Sequence, residues 1–214
     1  MRPKNKIRAI IFDVGGVLSL GRYEKKAVEG HHLLGVHNFM ADKLGIDLDT
    51  WFDAIDSVYA KSIEGKINRR KTLYVMAKNL KCSVSKLEKF FLLAYKKHFK
   101  KNIELYKLAH DLIKKGYRVG ILSDQWYLSK DALILQKDIR GFRPVIISCD
   151  VGLRKPNPKI YRLLLKKLRL TGERVLFIDN REWNLKPARA LGIKTILFED
   201  NEQLIKALIA KGIL

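Results

Sequence analysis

At 214 residues the chain can bury one large core, or a core carrying a modest insertion. Hydrophobic residues at 47% and charged residues at 30% describe a soluble globular protein, and no apolar run approaches a membrane span. The formal charge of +21 is spread along the chain between apolar helix positions, which favours a solvated basic surface over a nucleic-acid partner while still attracting a small phosphorylated substrate.

The first element is Ile7 to Leu18. A β-branched apolar run ends in Asp13 and the pair Gly15-Gly16. Continuous apolar character marks a strand buried on both faces, so Asp13 falls at its carboxyl end, where open α/β sheets place ligands. The glycines let the backbone turn and leave its amides uncovered. Many buried strands end in Asp-x-Gly merely to turn, so this stretch alone decides nothing.

Helical character then runs to about Lys100. The pattern predicts a short helix from His37 to Leu44 closed by Gly45. Next comes a helix capped by Asp49 with Trp51, Ile55, Val58 and Tyr59 on one face. Ser62 to Ile67 reads as a loop and Asn68 as the next cap. Ser85-Lys86-Leu87-Glu88 has capping-box spacing ahead of Phe90, Phe91 and Ala94.

The second half alternates. A helix containing Leu105, Ala109 and Leu112 stops at Gly116, and strands follow at Tyr117–Leu122 and Val145–Ile147. Asn157-Pro158 opens a helix, and a strand at Arg174–Ile178 ends at Asp179. Asn184 caps a helix with Pro187 in its tolerant first turn. A last strand spans Ile193 to Phe198, and Asn201 starts the last helix. Such alternation implies a parallel sheet with helices on both faces.

Asp13, Ser123-Asp124 and Asp179-Asn180 therefore stand at strand ends that converge on one crevice, with Lys155 in the loop before a helix. A carboxylate, a hydroxyl and an ammonium, with a divalent cation, are the parts phosphoryl transfer needs.

The stretches Phe12-Asp13-Val14-Gly15-Gly16-Val17-Leu18, Ile121-Leu122-Ser123-Asp124, Gly152-Leu153-Arg154-Lys155-Pro156-Asn157-Pro158 and Phe177-Ile178-Asp179-Asn180 resemble, in order, the four motifs of the haloacid dehalogenase superfamily. The second half is most similar to the phosphatase-like amino-terminal domain of soluble epoxide hydrolases and related sugar-phosphate phosphatases. The resemblance implies an α/β fold with a Rossmann-like parallel-sheet core, residues 1–18 and 99–214, and an inserted α-helical cap, residues 19–98. It implies Mg²⁺-dependent hydrolysis of a small phosphomonoester through an aspartyl-phosphate on Asp13. Ser123 and Lys155 would act with Asp13 in catalysis. Ser123, Asp124, Lys155, Gly15 and Gly16 would bind phosphate, and Asp13, Gly15 (through its carbonyl), Asp179 and Asn180 would hold the metal.

The chain departs from the pattern at Gly15, often a second Asp acting as general acid, and at Asn180, usually a metal-binding Asp. The first predicts slow turnover and a preference for good leaving groups, such as sugar-1-phosphates or aryl phosphates. The second predicts weaker Mg²⁺ binding. Asp124 stands where Asn is common and reads first as a turn-stabilising residue. Two other readings stay open: a metal-independent haloacid dehalogenase and a silenced binding scaffold. His31, His32 and His37 read as exposed residues of a polar loop rather than substitutes for the missing acid. Arg154 reads as exposed, and Trp126 and Trp183 as either crevice walls or core. Cys82 and Cys149 lack metal-ligand spacing and read as free thiols, with a bond between them left open. With no cleavable leader ahead of the first strand, the expected location is the cytoplasm. Oligomeric state has no signal in the sequence.

Overall fold

A computed structural model describes residues 6–22 and 31–214, with the backbone alone for 31–34. Five parallel strands form one sheet: β1 (Ala9–Phe12), β4 (Arg118–Ser123), β5 (Val145–Ile147), β6 (Val175–Asp179) and β7 (Lys194–Leu197), in the spatial order β5-β4-β1-β6-β7. The central strand is β1, and all four of its residues are buried, which is why its sequence shows no polar alternation. Its side chains still alternate between faces. Ile10 and Phe12 join one core with helix α5 (Ile103–Lys114) and helix α10 (Asn201–Ala210). Ala9 and Ile11 join the opposite core with α8 (Pro158–Leu168) and α9 (Glu182–Ala190).

Two three-residue strands, β2 (Ser19–Gly21) and β3 (Phe99–Lys101), pair antiparallel with Leu20 opposite Lys100. Among the described residues between them lie four helices, α1 (His31–Leu44), α2 (Leu48–Ile63), α3 (Arg69–Asn79) and α4 (Val84–His98). They enclose a core of their own around Met40, Trp51, Met76 and Phe91, and Trp126 enters it from the sheet side. The helical segment thus leaves and rejoins the sheet through one paired ribbon. Among the described residues no helix is long and apolar enough to cross a membrane.

Several predicted boundaries move. Helix α2 is capped by Asp47, whose Oδ1 accepts from the Thr50 amide at 2.7 Å, so Asp49 lies in its first turn and Ser62 in its last. Helix α4 is capped by Ser83, whose hydroxyl accepts from the Lys86 amide at 3.1 Å, so Ser85 lies inside it. Helix α9 starts at Glu182, which places Asn184 inside it and Pro187 beyond its first turn. Helices α6 (Tyr127–Leu133) and α7 (Ser148–Val151) have no counterpart in the sequence reading, because seven and four residues are too few to display a helical period.

Candidate active site

Phe12 pairs with Ile121 of β4 and with Ile178 of β6, and the Asp13 amide donates to the Ile178 carbonyl at 2.9 Å. That register brings Asp13, Ser123 and Asp179 out at the same edge of the sheet. The chain then turns sharply. Gly16 has φ of +81°, and a Cβ there would lie 2.3 Å from Asn180 Nδ2, so handedness and close approach both demand glycine. Its amide donates to the Ser19 carbonyl at 2.8 Å. Gly15 differs. Its backbone is ordinary, and among the described residues a Cβ there would meet only Gln125 Nε2, at 4.0 Å.

Lys155 sits at the centre of the charge arrangement. Its ammonium is buried, 3.0 Å from Asp13 Oδ1 and 2.6 Å from Asp179 Oδ2. Of the two contacts only the one to Asp179 is aligned as a hydrogen bond, and among the described residues Asp13 Oδ1 has no aligned donor. Burial opposes the charge on Lys155, but Asp13, Asp179 and Asp124 overcome it and hold the ammonium above the ordinary lysine range. Burial pushes Asp179 up to about 6 against the pull of Lys155. It stays ionised at neutral pH, because Lys155, the Arg181 amide at 2.8 Å and Asn184 Nδ2 at 3.0 and 3.2 Å all donate to it. Both Asp179 oxygens are therefore engaged within the protein. Asn184, read from sequence as a cap, serves this carboxylate instead, and its own carbonyl accepts from the Tyr161 hydroxyl at 2.6 Å.

Asp124 turns its Oδ1 onto the Lys155 amide at 3.0 Å, with Arg154 Nε 3.7 Å from Oδ2. This fixes the loop carrying Lys155. Burial raises the Asp124 carboxyl above its usual range. Ser123 is fully buried, and its hydroxyl accepts from Gln125 Nε2 at 3.1 Å. Asn180 is buried, and among the described residues neither its Oδ1 nor its Nδ2 has a hydrogen-bond partner.

A cavity of about 120 Å³ lies over Asp13, Gly15, Asp124 and Lys155. Arg154 and Arg181 also line it, with Tyr59 and Tyr95 from the helical segment and Trp126 from the sheet side. Trp126 is fully buried and donates from Nε1 to the Tyr95 hydroxyl at 2.6 Å, with its ring edge-on to Phe91 and Tyr59. Trp183, by contrast, is half-exposed beneath the Arg181 guanidinium. His37 is not in a polar loop. It is buried in α1, and its Nδ1 accepts from Trp51 Nε1 at 2.9 Å. The side chains of His31 and His32 lie outside the described residues. Both cysteines are free thiols. Sequence reasoning missed Gln125, Asn184 and the cavity tyrosines, since no spacing rule connects them to the strand ends.

Residues 7–192 match the haloacid dehalogenase-like hydrolase family, and the chain belongs to it. The chain is 30% identical over 209 residues, 95% of its length, to acyl-CoA dehydrogenase family member 10 of Mus musculus. It is 34% identical over 112 residues, 50% of its length, to bifunctional epoxide hydrolase 2 of Rattus norvegicus. It spans 19% and 20% of those two proteins. It is also 34% identical over 95 residues to glyceraldehyde 3-phosphate phosphatase of Pyrococcus abyssi, covering 44% of this chain and 40% of that one. In fold it resembles a HAD family enzyme of Bacteroides thetaiotaomicron solved with magnesium and inorganic phosphate. That match has a TM-score of 0.67 and 17% identity, over 89% of this chain and 93% of that one. It also resembles an L-2-haloacid dehalogenase, with a TM-score of 0.56 and 19% identity, over 88% and 83% of the two chains.

Proposed function

We propose that this chain hydrolyses a small phosphomonoester, with Asp13 attacking phosphorus to form an aspartyl-phosphate that water then cleaves. One observation carries the reading: a strand-end carboxylate without an aligned hydrogen bond stands 3.0 Å from a buried ammonium that a second carboxylate holds in place. Lys155 draws charge from the phosphoryl oxygens, and Ser123 donates to one of them. Asp179 and Asn184 position Lys155, and Asp124 fixes its loop. Phosphatase names among the relatives support the same reading.

The donor set fits a hard cation. Among the described residues Asp13 Oδ1 and Asn180 Oδ1 are buried oxygens without hydrogen-bond partners, free to act as ligands. Asp13, the Gly15 carbonyl and the Asn180 amide oxygen would hold Mg²⁺, which when bound neutralises charge between carboxylate and phosphate. Asp179, with both oxygens engaged, acts on Lys155 instead.

Without a carboxyl at position 15 the enzyme is slow and favours good leaving groups. The test is turnover of an aryl phosphate with Mg²⁺ by the wild type and by Asp13→Asn. Turnover that survives in the variant refutes the reading. Glycine at position 15 is also what a metal-independent haloacid dehalogenase tolerates. Chloride release from 2-haloacids in chelator, with no phosphatase activity, would establish that function instead. Anion binding with no turnover of either substrate would identify a silenced scaffold.

A further inference from the structure

We infer that Gln125 stabilises the departing oxygen of the ester, in the place left open by Gly15; this rests on the phosphomonoesterase reading above. Among the described residues Gln125 Nε2 is the only heavy atom beyond the chain neighbours within 4 Å of where a Cβ at position 15 would stand, and it lies at 4.0 Å. The carboxamide therefore borders the space that a side chain at position 15 would enter. Gln125 lines the cavity together with Asp13, Gly15 and Lys155.

The residue is held rigidly. Its amide donates to the Ser148 hydroxyl at 3.0 Å, and the same hydroxyl donates to its carbonyl at 3.2 Å. Its Nε2 donates one hydrogen to Ser123 Oγ at 3.1 Å. A primary amide nitrogen carries two hydrogens, so a second remains for a group in the cavity. As acceptor of that bond Ser123 keeps its own hydrogen for the phosphoryl group, as it would without Gln125. Gln125 is 7% exposed, which makes such a donor stronger than it would be in water.

The step balances without proton loss from the amide. The bond between Asp13 and phosphorus forms as the ester P–O bond breaks, and the electron pair stays on the leaving oxygen. Gln125 shares a hydrogen with that oxygen but keeps it, and the oxygen takes its proton from water. A second water then places hydroxide on phosphorus, frees Asp13 and releases a proton to solvent.

The test is a series of monoesters from 2,4-dinitrophenyl through 4-nitrophenyl and phenyl to alkyl phosphate, assayed with Gln125→Leu and Gln125→Glu. Removing one such donor costs about 10²–10³-fold where charge develops fully. Gln125→Leu should therefore lose about that on alkyl and phenyl esters and far less on the dinitrophenyl ester, with inhibition by inorganic phosphate unchanged. Gln125→Glu, nearly isosteric, keeps the fold and supplies a carboxyl, so alkyl-ester turnover should rise on the acid side of its pH profile. Equal losses across the series, weakened phosphate inhibition or no loss in Gln125→Leu would overturn the assignment, as would a Gln125→Glu profile parallel to wild type. Absence of Asp13-dependent turnover in the wild type would overturn the phosphomonoesterase reading itself.

Discussion

Replacing Gly15 by aspartate restores a carboxyl beside the nucleophile at little structural cost. The backbone there lies outside the left-handed region, and the new Cβ would meet one atom, Gln125 Nε2, at ordinary contact distance. Losing a glycine where the conformation permits it narrows the unfolded ensemble, a gain of about 0.4–1 kcal/mol for alanine that offsets some burial of the new charge. A positioned general acid contributes roughly 10²–10⁴-fold, which is about 2.7–5.4 kcal/mol of barrier at 1.36 kcal/mol per tenfold. Gly15→Asp should raise kcat on an alkyl phosphate by about two orders of magnitude and change the dinitrophenyl ester little, since that leaving group needs no proton. The same change at Gly16 should unfold the turn, where a Cβ would strike the Asn180 amide at 2.3 Å. Turnover of both esters and urea unfolding, measured on each variant, check the pair. A folded Gly15→Asp enzyme with an unchanged alkyl rate would refute the claim that position 15 limits this site.

Asn180→Asp adds a charge where two buried amide atoms lack partners, and calorimetry should show Mg²⁺ binding at least about tenfold tighter. Lys155→Met leaves Asp13 and Asp179 buried without their shared cation. Stability should fall by about 3–5 kcal/mol, with partial recovery when Asp179→Asn is added, as read by urea denaturation. His37, buried beneath Trp51, has its pKa lowered by burial to about 4 from an ordinary 6.5. The unfolded chain therefore takes up this proton first as the pH falls. The stability is complete above pH 6.5 and is lost between 6.5 and 4, by roughly 3 kcal/mol in all at 1.36 kcal/mol per pH unit. Urea unfolding at pH 7, 5.5 and 4 should show this slope in the wild type. His37→Gln, which keeps an acceptor for Trp51 but cannot titrate, should flatten it.

The sheet was legible because strands buried on both faces read as unbroken apolar runs. Ala9–Phe12 and Val175–Asp179 could be nothing else in a chain of this length. The strand-end residues followed from topology, since parallel strands deliver their last residues to one edge. What the sequence hid was pairing across distance. Asn184 reads as a cap until helix α9 is seen to begin two residues earlier, which turns its amide onto Asp179. His37 reads as a loop residue because the helix around it starts at His31, and two histidines and Gly35 break the apolar pattern at that start. Gln125 has no periodicity or motif to announce it. Its position matters only because Gly15 leaves space beside it.

The two departures at positions 15 and 180 act on one electrostatic balance. Each replaces a side chain that is often acidic with a neutral one, so each weakens the pull on a divalent cation. Each also removes negative charge that would repel an incoming phosphate. Three carboxylates, Asp13, Asp124 and Asp179, and three cations, Arg154, Lys155 and Arg181, remain around or beneath the cavity. With acidic residues at both positions the same site would carry two more negative charges. An arriving phosphate would then depend more heavily on a bound cation to offset them. Here the protein's own cations come closer to balancing its carboxylates, within a molecule whose overall charge of +21 already favours anions. A chain that gives up metal-binding charge can therefore retain phosphate affinity. On the proposed phosphomonoesterase reading what it gives up is the proton for the leaving group, and on that reading the chemistry of position 15 outweighs that of position 180.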